Sequence, residues 1–521
     1  SEDKQCVLLE GVTGSGKTRL YIELIARQLD QGQQVLYLLP EIALTTQIVE
    51  RLRRIFGDQV QVYHSRLNDQ ERVEVWNKVL EGKGLILGAR SALFLPFQQL
   101  GLVVVDEEHD YSFKQADPNP RYQGRDSAIF LASMFGAKVL LGSATPAVES
   151  WYNAEKGKYG KVEMKERFGG ILMPEIVLAD IREARKHKEM HGNFSGKLIS
   201  LMQETLDRGE QIILFQNRRG YAPSYHCDVC EWHAMCIRCD VSLTYHKGIN
   251  LMKCHYCGYQ SKLPESCPGC GNRRLKLRGF GTEKIEDDLK VLFPDYQAAR
   301  MDLETVRGKH AHAAIIHSFE EGSVQILVGT QMVTKGLDFD RVGLVGVLYA
   351  DQLWQFPDFR SSERSIQLLL QVSGRAGRKK EGAKVLIQTS NVSHPIIGDI
   401  MRMDLGGFYR RELEERKDFA YPPFSRLIHI MVRHKQSDKA YQAVLMLSRW
   451  LKNDFGERVL GPSVPYAALL RGYYQQQLLI KFESGNAFLK AAKTRIVDLA
   501  DQLKATPGFS GVRVVIDVDP Y

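Results

Sequence analysis

Residues Gly11-Val12-Thr13-Gly14-Ser15-Gly16-Lys17-Thr18 spell G-x-x-x-x-G-K-[ST], and no other run in the chain restricts its fold so far. Such a loop grips phosphate when a buried strand delivers it and a helix opens at its end. Both flanks are present. The apolar run Cys6-Val7-Leu8-Leu9 precedes it, and a helical pattern runs from Arg19 to Leu29. The backbone N–H groups of Gly11, Thr13, Gly14, Ser15 and Gly16 are expected to face phosphate oxygens, because glycine lets the main chain approach closely. Lys17 is expected to reach the β- and γ-phosphates of ATP, and the Thr18 hydroxyl to meet Mg²⁺. A chance glycine-rich turn does not account for the lysine, the threonine and both flanks together.

The rest of the chain supplies a sheet for that loop. Continuous apolar runs at Val7-Leu9, Val35-Leu39, Leu85-Leu87, Leu102-Val105 and Lys138-Leu141 alternate with helical stretches, which predicts a parallel α/β sheet. A second α/β set follows at Gln211-Phe215, Gln325-Val328, Gly343-Leu348 and Lys384-Gln388. From about residue 405 the pattern becomes a smaller α+β unit with strands near Ile428-Val432, Gln477-Phe482 and Val512-Asp517. The charged stretch Arg182 to Lys188 reads as a solvated surface stretch or loop. With 521 residues the chain has length for several cores. No apolar run nears the ~20 residues of a membrane span, and no signal-peptide core opens the chain, so a cytoplasmic protein without a membrane is expected. The net charge of +8 suits a polyanionic partner without requiring one.

The strand Leu102-Val105 ends in Asp106-Glu107-Glu108-His109. Ligands of α/β folds sit at the carboxyl ends of strands. Asp106 is therefore a candidate holder of Mg²⁺ with Thr18, and Glu107 a candidate to orient and deprotonate the attacking water. Gly142-Ser143-Ala144-Thr145-Pro146 follows a further strand. In this order the three motifs resemble superfamily-two helicases, whose S-A-T segment links nucleotide state to the nucleic-acid path; Ser143 and Thr145 are its residues here. Thr330-Gln331 opens a stretch resembling the fifth helicase motif. Gln371-Val372-Ser373-Gly374-Arg375-Ala376-Gly377-Arg378 matches the sixth, Q-x-x-G-R-x-G-R. That likeness implies that Arg375 and Arg378 reach across a cleft to the γ-phosphate as arginine fingers. Candidate strand contacts are Pro40, Arg90, Thr330 and Gln331. Tyr111, Phe113, Lys114, Arg121 and Tyr122, which interleave aromatics and cations after the acidic box, suit base stacking and phosphate contact. A plain proline-rich surface loop is the competing reading of that segment.

Eight of nine cysteines fall in four Cys-x-x-Cys units: Cys227 and Cys230, Cys236 and Cys239, Cys254 and Cys257, Cys267 and Cys270. Four such units make two tetrahedral Cys₄ sites for structural Zn²⁺, with no open position for water. Spacing leaves the pairing open. His226, His233, His246 and His255 read as surface residues.

A doubly zinc-bound module inside a second helicase lobe, just after Asn217-Arg218-Arg219-Gly220-Tyr221, resembles the PriA family of bacterial replication-restart helicases. GVTGSGKT, LLPEIALT, LGARSALF, DEEH, GSATP, GTQMVTKG and QVSGRAGR carry that resemblance over nearly the whole chain. It implies an α/β fold of two RecA-like helicase lobes, 1–165 and 166–225 with 273–404. The two-zinc cysteine-rich module, 226–272, is inserted in the second lobe, and a small α+β C-terminal domain covers 405–521. It implies nested zinc pairing: Cys227, Cys230, Cys267 and Cys270 on one ion, Cys236, Cys239, Cys254 and Cys257 on the other. It also implies 3′→5′ unwinding of forked and single-stranded DNA, primosome assembly, and contact with single-stranded-DNA-binding protein and helicase-loading proteins by a monomer. Helicases of this kind carry an adenine-reading segment ahead of the phosphate loop, and the family begins with further DNA-binding domains. Little room remains before Gly11, and residue 1 is Ser, so an N-terminal truncation is expected.

Overall fold

The computed structural model describes residues 4–520 apart from 41–45, 66, 83, 217–223, 228, 231, 233, 238–242, 247–249, 255–258, 279–281, 303–310, 331–338, 356–357, 378–381 and 484–487. They form two compact units, Ser1–Asn217 with Ile285–Leu413 and Arg218–Lys284 with Glu414–Tyr521.

The first unit holds two parallel sheets. In the first lobe, β1 (Cys6–Gly11), β2 (Gln34–Leu38), β3 (Val60–Tyr63), β4 (Leu85–Gly88), β5 (Leu100–Asp106), β6 (Lys138–Ser143) and β7 (Gly160–Met164) lie in the order β3-β4-β2-β5-β6-β1-β7. All neighbours are parallel. Helices α1 (Lys17–Asp30), α2 (Thr46–Phe56), α3 (Asp69–Leu80), α4 (Gly124–Phe135) and α5 (Val148–Glu155) connect the strands. Tyr21, Ile25 and Leu52 pack on one face of this sheet, and Val75, Val79, Ala128 and Ala132 on the other. Strands covered on both sides read as unbroken apolar runs, and that pattern revealed the five inner strands but not the edges β3 and β7.

The second lobe has a six-stranded parallel sheet in the order Ala298–Met301, Ile326–Gly329, Gln211–Gln216, Val342–Leu348, Lys384–Thr389, Glu175–Asp180. The chain leaves this sheet after Gln216 and rejoins it at Ala298, so the cysteine-rich stretch interrupts the lobe. The charged stretch is solvated, as one of its two readings had it, but it is a short helix, Ile181–Lys186, and not a loop. The Asp180 carboxylate caps it, accepting from Arg182 N at 2.8 Å and Glu183 N at 3.3 Å. Ile181 and Ala184 bury the inner side.

The second unit contains the cysteine-rich module and an α+β domain. In the latter, Val459–Ser463, Tyr473–Glu483, Ser425–His434 and Arg513–Val518 make an antiparallel sheet, joined at Tyr473–Glu483 by Leu469–Leu470. The helices Ser437–Phe455 and Phe488–Ala505 cover one face through Leu447, Leu451, Ile496 and Leu499. No helix among the described residues is long and apolar enough to cross a membrane.

Candidate nucleotide site and metal cluster

β1 ends at Gly11, and the loop that follows turns on two left-handed glycines, Gly14 (φ 85°) and Gly16 (φ 92°). Gly11 itself has no room for a side chain. A Cβ there would lie 2.8 Å from Ser15 Oγ and 3.1 Å from Lys17 Cδ. Lys17 opens α1 and donates from Nζ to Gly11 O (2.6 Å) and Val12 O (3.4 Å), which holds its ammonium over the loop. Thr18 follows at the helix N-terminus, where the dipole favours anions.

β5 delivers Asp106 beside this loop. Asp106 accepts hydrogen bonds from Tyr21 Oη at 3.0 Å and Tyr37 Oη at 3.3 Å. Burial first, then the neighbouring Glu107 carboxylate, push the Asp106 acid up to about 6, while the Lys17 ammonium pulls the other way. Burial first, then the Asp106 carboxylate, hold the Tyr21 and Tyr37 phenols well above their ordinary range. Glu107 stands in a left-handed conformation (φ 51°), unusual outside glycine and a common mark of functional turns.

The sixth motif closes on this point from the second lobe. Gln371, on the Ser361–Ser373 helix, donates from Nε2 to Glu107 Oε2 (3.3 Å) and approaches His109 Nε2 (2.8 Å). His109 Nδ1 lies 2.7 Å from Ser143 Oγ, which also accepts from Thr145 N at 2.8 Å. With Nδ1–H donating to Ser143 and Nε2 accepting from Gln371, the ring satisfies both neighbours. The acidic box, the S-A-T segment and the sixth motif are thus one hydrogen-bonded chain. Two residues past Val372, Gly374 abuts the phosphate loop so tightly that a Cβ would lie 2.6 Å from Thr13 Oγ1. Arg375 follows directly and is half-buried.

Several supporting residues carried no signal in the sequence. Glu108 is fully buried and accepts from Arg125 (3.1 Å), Ala147 N (2.7 Å) and Ser150 Oγ (2.8 Å). Glu363, on the Ser361–Ser373 helix, accepts from Val148 N at 2.9 Å, and Arg360 lies between Glu363 (3.3 Å) and Glu149 (2.7 Å). Arg167 donates to Gly377 O at 2.8 Å while its stem packs 3.7 Å from where a Cβ on Gly14 would stand.

The expected strand contacts divide. Pro40 and Phe113 are buried in this structure, so neither ring stands open to solvent where a nucleic-acid strand was expected. Pro40 follows β2, and the Phe113 ring fills the first-lobe core, where removing it from water is worth more than exposure. Lys114 is buried as well. Tyr111, Arg121 and Tyr122 are half-exposed, and Tyr122 meets the exposed Phe94 ring edge-on at 5.1 Å. Arg90 Nη1 donates to Ser112 O and its carbonyl accepts from Tyr122 Oη, so Arg90 supports the aromatic loop. Thr330 is half-buried at the end of a second-lobe strand. Gln331, Arg378, Cys239 and Cys257 lie outside the described residues.

In the second unit, Cys227, Cys230, Cys267 and Cys270 bring their Sγ atoms within 4.8 Å of one another. Cys227–Cys270 is 3.6 Å and Cys230–Cys267 3.5 Å. Zn–S bonds of about 2.3 Å in a tetrahedron put sulfurs ~3.8 Å apart, so the cluster fits zinc. Val229 N and Gly269 N point at Cys227 Sγ (3.4 Å) and Cys267 Sγ (3.3 Å), donors that favour thiolates. Cys236 and Cys254 are buried together with Leu243 and Met252.

Family models match four stretches: DEAD/DEAH box helicase over 2–153, Helicase conserved C-terminal domain over 282–380, PriA DNA helicase Cys-rich region (CRR) domain over 236–262, and Primosomal protein N C-terminal domain over 417–521. The chain is 40% identical to Replication restart protein PriA of Bacillus subtilis, covering 100% of this chain and 64% of that one. It is 40% identical to the Synechocystis protein of the same name, covering 99% and 62%. With that of Treponema pallidum the identity is 38%, covering 98% and 76%. The chain therefore spans under two thirds of the first two relatives and three quarters of the third. With two helicase domains, a zinc-ribbon insertion and a C-terminal domain that each match, the chain belongs to the PriA family of replication restart proteins.

Proposed function

We propose that this chain is the motor of an ATP-dependent 3′→5′ DNA helicase that acts at stalled or abandoned replication forks and initiates primosome assembly. The observation that carries the reading is the join over the phosphate loop: Gln371 bonds Glu107 while Gly374 packs on Thr13. Nucleotide between the lobes then meets both at once, and its cleavage changes how they hold each other.

The residues divide the work. The loop amides and Lys17 bind the phosphates. Thr18 and Asp106 hold Mg²⁺, which neutralises charge on the β- and γ-oxygens when bound. Glu107 orients the attacking water and takes its proton, and Gln371 fixes the Glu107 carboxylate. Arg375 and Arg378 stabilise charge developing on the γ-phosphate. Tyr111, Arg121, Tyr122 and Thr330, with Gln331, form the strand-contacting rim, and Arg90 and Lys114 brace it. One Zn²⁺ on Cys227, Cys230, Cys267 and Cys270, and a second on Cys236, Cys239, Cys254 and Cys257, keep their module folded. Partners consistent with the family are forked DNA, single-stranded-DNA-binding protein and helicase-loading proteins, in the cytoplasm.

The test is ATP turnover with no nucleic acid, single strands, forked DNA and RNA duplex, with and without Lys17→Ala. The expected result is turnover raised by DNA single strands, separation of a forked duplex from its 3′ tail, and loss of both in the variant. Turnover indifferent to every nucleic acid would overturn the motor reading, and preference for RNA duplex would overturn the DNA assignment.

A further inference from the structure

Asp106 is held from behind by two phenols. Tyr21 sits one turn after Lys17 on α1 and donates to Oδ1 at 3.0 Å. Tyr37 lies on β2 and donates to Oδ2 at 3.3 Å. Both are fully buried, their rings meeting edge to face with centroids 5.7 Å apart. A third element makes the space. Gly142, near the end of β6, faces the Tyr21 hydroxyl so closely that a Cβ would lie 1.8 Å from Oη and 2.8 Å from Cζ. Four elements, α1, β2, β5 and β6, therefore meet at one carboxylate.

Packing alone does not account for the two hydroxyls. Phenylalanine would fill the same space, and a buried phenol costs desolvation that phenylalanine avoids unless the hydroxyl finds a partner. Both hydroxyls bond the same side chain. Each carboxylate oxygen has two lone pairs; Oδ1 takes the Tyr21 hydroxyl and, at 3.1 Å, Glu107 N, while Oδ2 takes only the Tyr37 hydroxyl, so the carboxylate plane is fixed and a lone pair stays open on Oδ2. An aspartate without these bonds samples the broad χ2 range of a terminal carboxylate, and binding a cation would then have to order it.

We propose that Tyr21 and Tyr37 are positioning residues for the magnesium-holding carboxylate, their hydroxyls orienting Asp106 before nucleotide and cation arrive. Gly142 serves the same end, by leaving Tyr21 its place. The inference rests on the nucleotide-site reading above.

The test uses the full chain with Tyr21→Phe, Tyr37→Phe and the double variant. Binding of a fluorescent non-hydrolysable ATP analogue is titrated against Mg²⁺, and Mn²⁺ binding with the same analogue is followed by electron paramagnetic resonance. A hydrogen bond to a charged group predicts about a tenfold rise in half-saturating cation for each single variant. The double variant is expected to shift further. Analogue affinity without cation stays at the wild-type value, and turnover returns when Mg²⁺ is raised, which a merely structural defect does not do. Asp106→Asn serves as the reference. If it shifts the cation dependence while the double phenylalanine variant does not, the inference is overturned alone. If Asp106→Asn leaves the dependence at wild type, the nucleotide-site reading falls and the inference with it.

Discussion

Glu107 and Glu108 are adjacent acids with opposite situations, and the sequence D-E-E-H does not distinguish them. Glu107 turns outward at a left-handed backbone position and meets Gln371. Glu108 points into the lobe, where it pairs with buried Arg125 and collects Ala147 N and Ser150 Oγ. Breaking a buried ion pair from one side costs roughly 3–5 kcal/mol, because the remaining charge loses its partner. Glu108→Gln also turns an amide donor toward groups that already donate. It is expected to lower unfolding stability by about 3 kcal/mol. Glu107→Gln, half-exposed, should leave the denaturation midpoint near wild type while turnover falls by two orders of magnitude or more, as loss of a general base does. Urea unfolding and steady-state turnover on both variants check this, and equal midpoints would refute the division. At this scale the motifs pointed to Lys17, Thr18 and Asp106, which the structure brings to the loop and the strand end expected of them. The sequence hid Tyr21 and Tyr37, because an aromatic at helical or strand spacing reads as core, and these two are core that also carries a polar end.

α5 belongs to the first lobe by chain order and bridges the two cores, with Ala154 in the first-lobe core and Val148 and Trp151 in the second. Val148 and Trp151 are buried with Val345, Leu369 and Ile397, and the Trp151 ring stacks on Tyr409 at 4.9 Å. Its N-terminus has no side-chain cap of its own. Glu363 from the Ser361–Ser373 helix accepts from Val148 N in place of one, and Arg360 ties Glu363 to Glu149. The helix is held from both sides, by the first lobe through Glu108, which accepts from Ala147 N and Ser150 Oγ, and by the second through Trp151 and Glu363, so parting the lobes here would expose a tryptophan or unpair buried charges. Glu363→Ala should cost about 3 kcal/mol in denaturation and weaken DNA stimulation of turnover more than basal turnover. A variant that unfolds like wild type and keeps full stimulation would show that this contact couples nothing. Sequence reading found the elements with long apolar runs and missed Val60–Tyr63, Gly160–Met164, Glu175–Asp180 and Ala298–Met301. Each lies at a sheet edge. One covered flank gives a broken apolar pattern that resembles loop, and short strands add little to any window. The bridging of both cores by α5 was likewise illegible, since an apolar stripe states that a helix is buried and not against what.

Each unit has its own apolar core. Ile430, Leu447 and Ile480 serve the C-terminal sheet, Leu243 and Met252 the cysteine module, and separate clusters the two helicase lobes. Among the described residues the module's core is small, five buried residues of which two are cysteines. So small a cluster is expected to lean on bound metal for much of its folding free energy. Spacing alone gave the ligands and left the pairing open. Proximity of Cys227, Cys230, Cys267 and Cys270 selects the outer set, because strands Ser224–Cys227 and Leu275–Arg278 run antiparallel and bring the two ends of the module together. Cys227→Ser with Cys270→Ser should therefore remove one zinc per chain, counted by a chromogenic chelator after denaturation. The module should then become open to protease between 218 and 284, since a fold without its metal has little else to close it. The helicase lobes share none of these ligands, so Mg²⁺-dependent nucleotide binding is expected to persist in the same sample. Loss of nucleotide binding together with the zinc would mean that the phosphate loop draws its order from the metal module, and the independence argued from separate cores would be wrong.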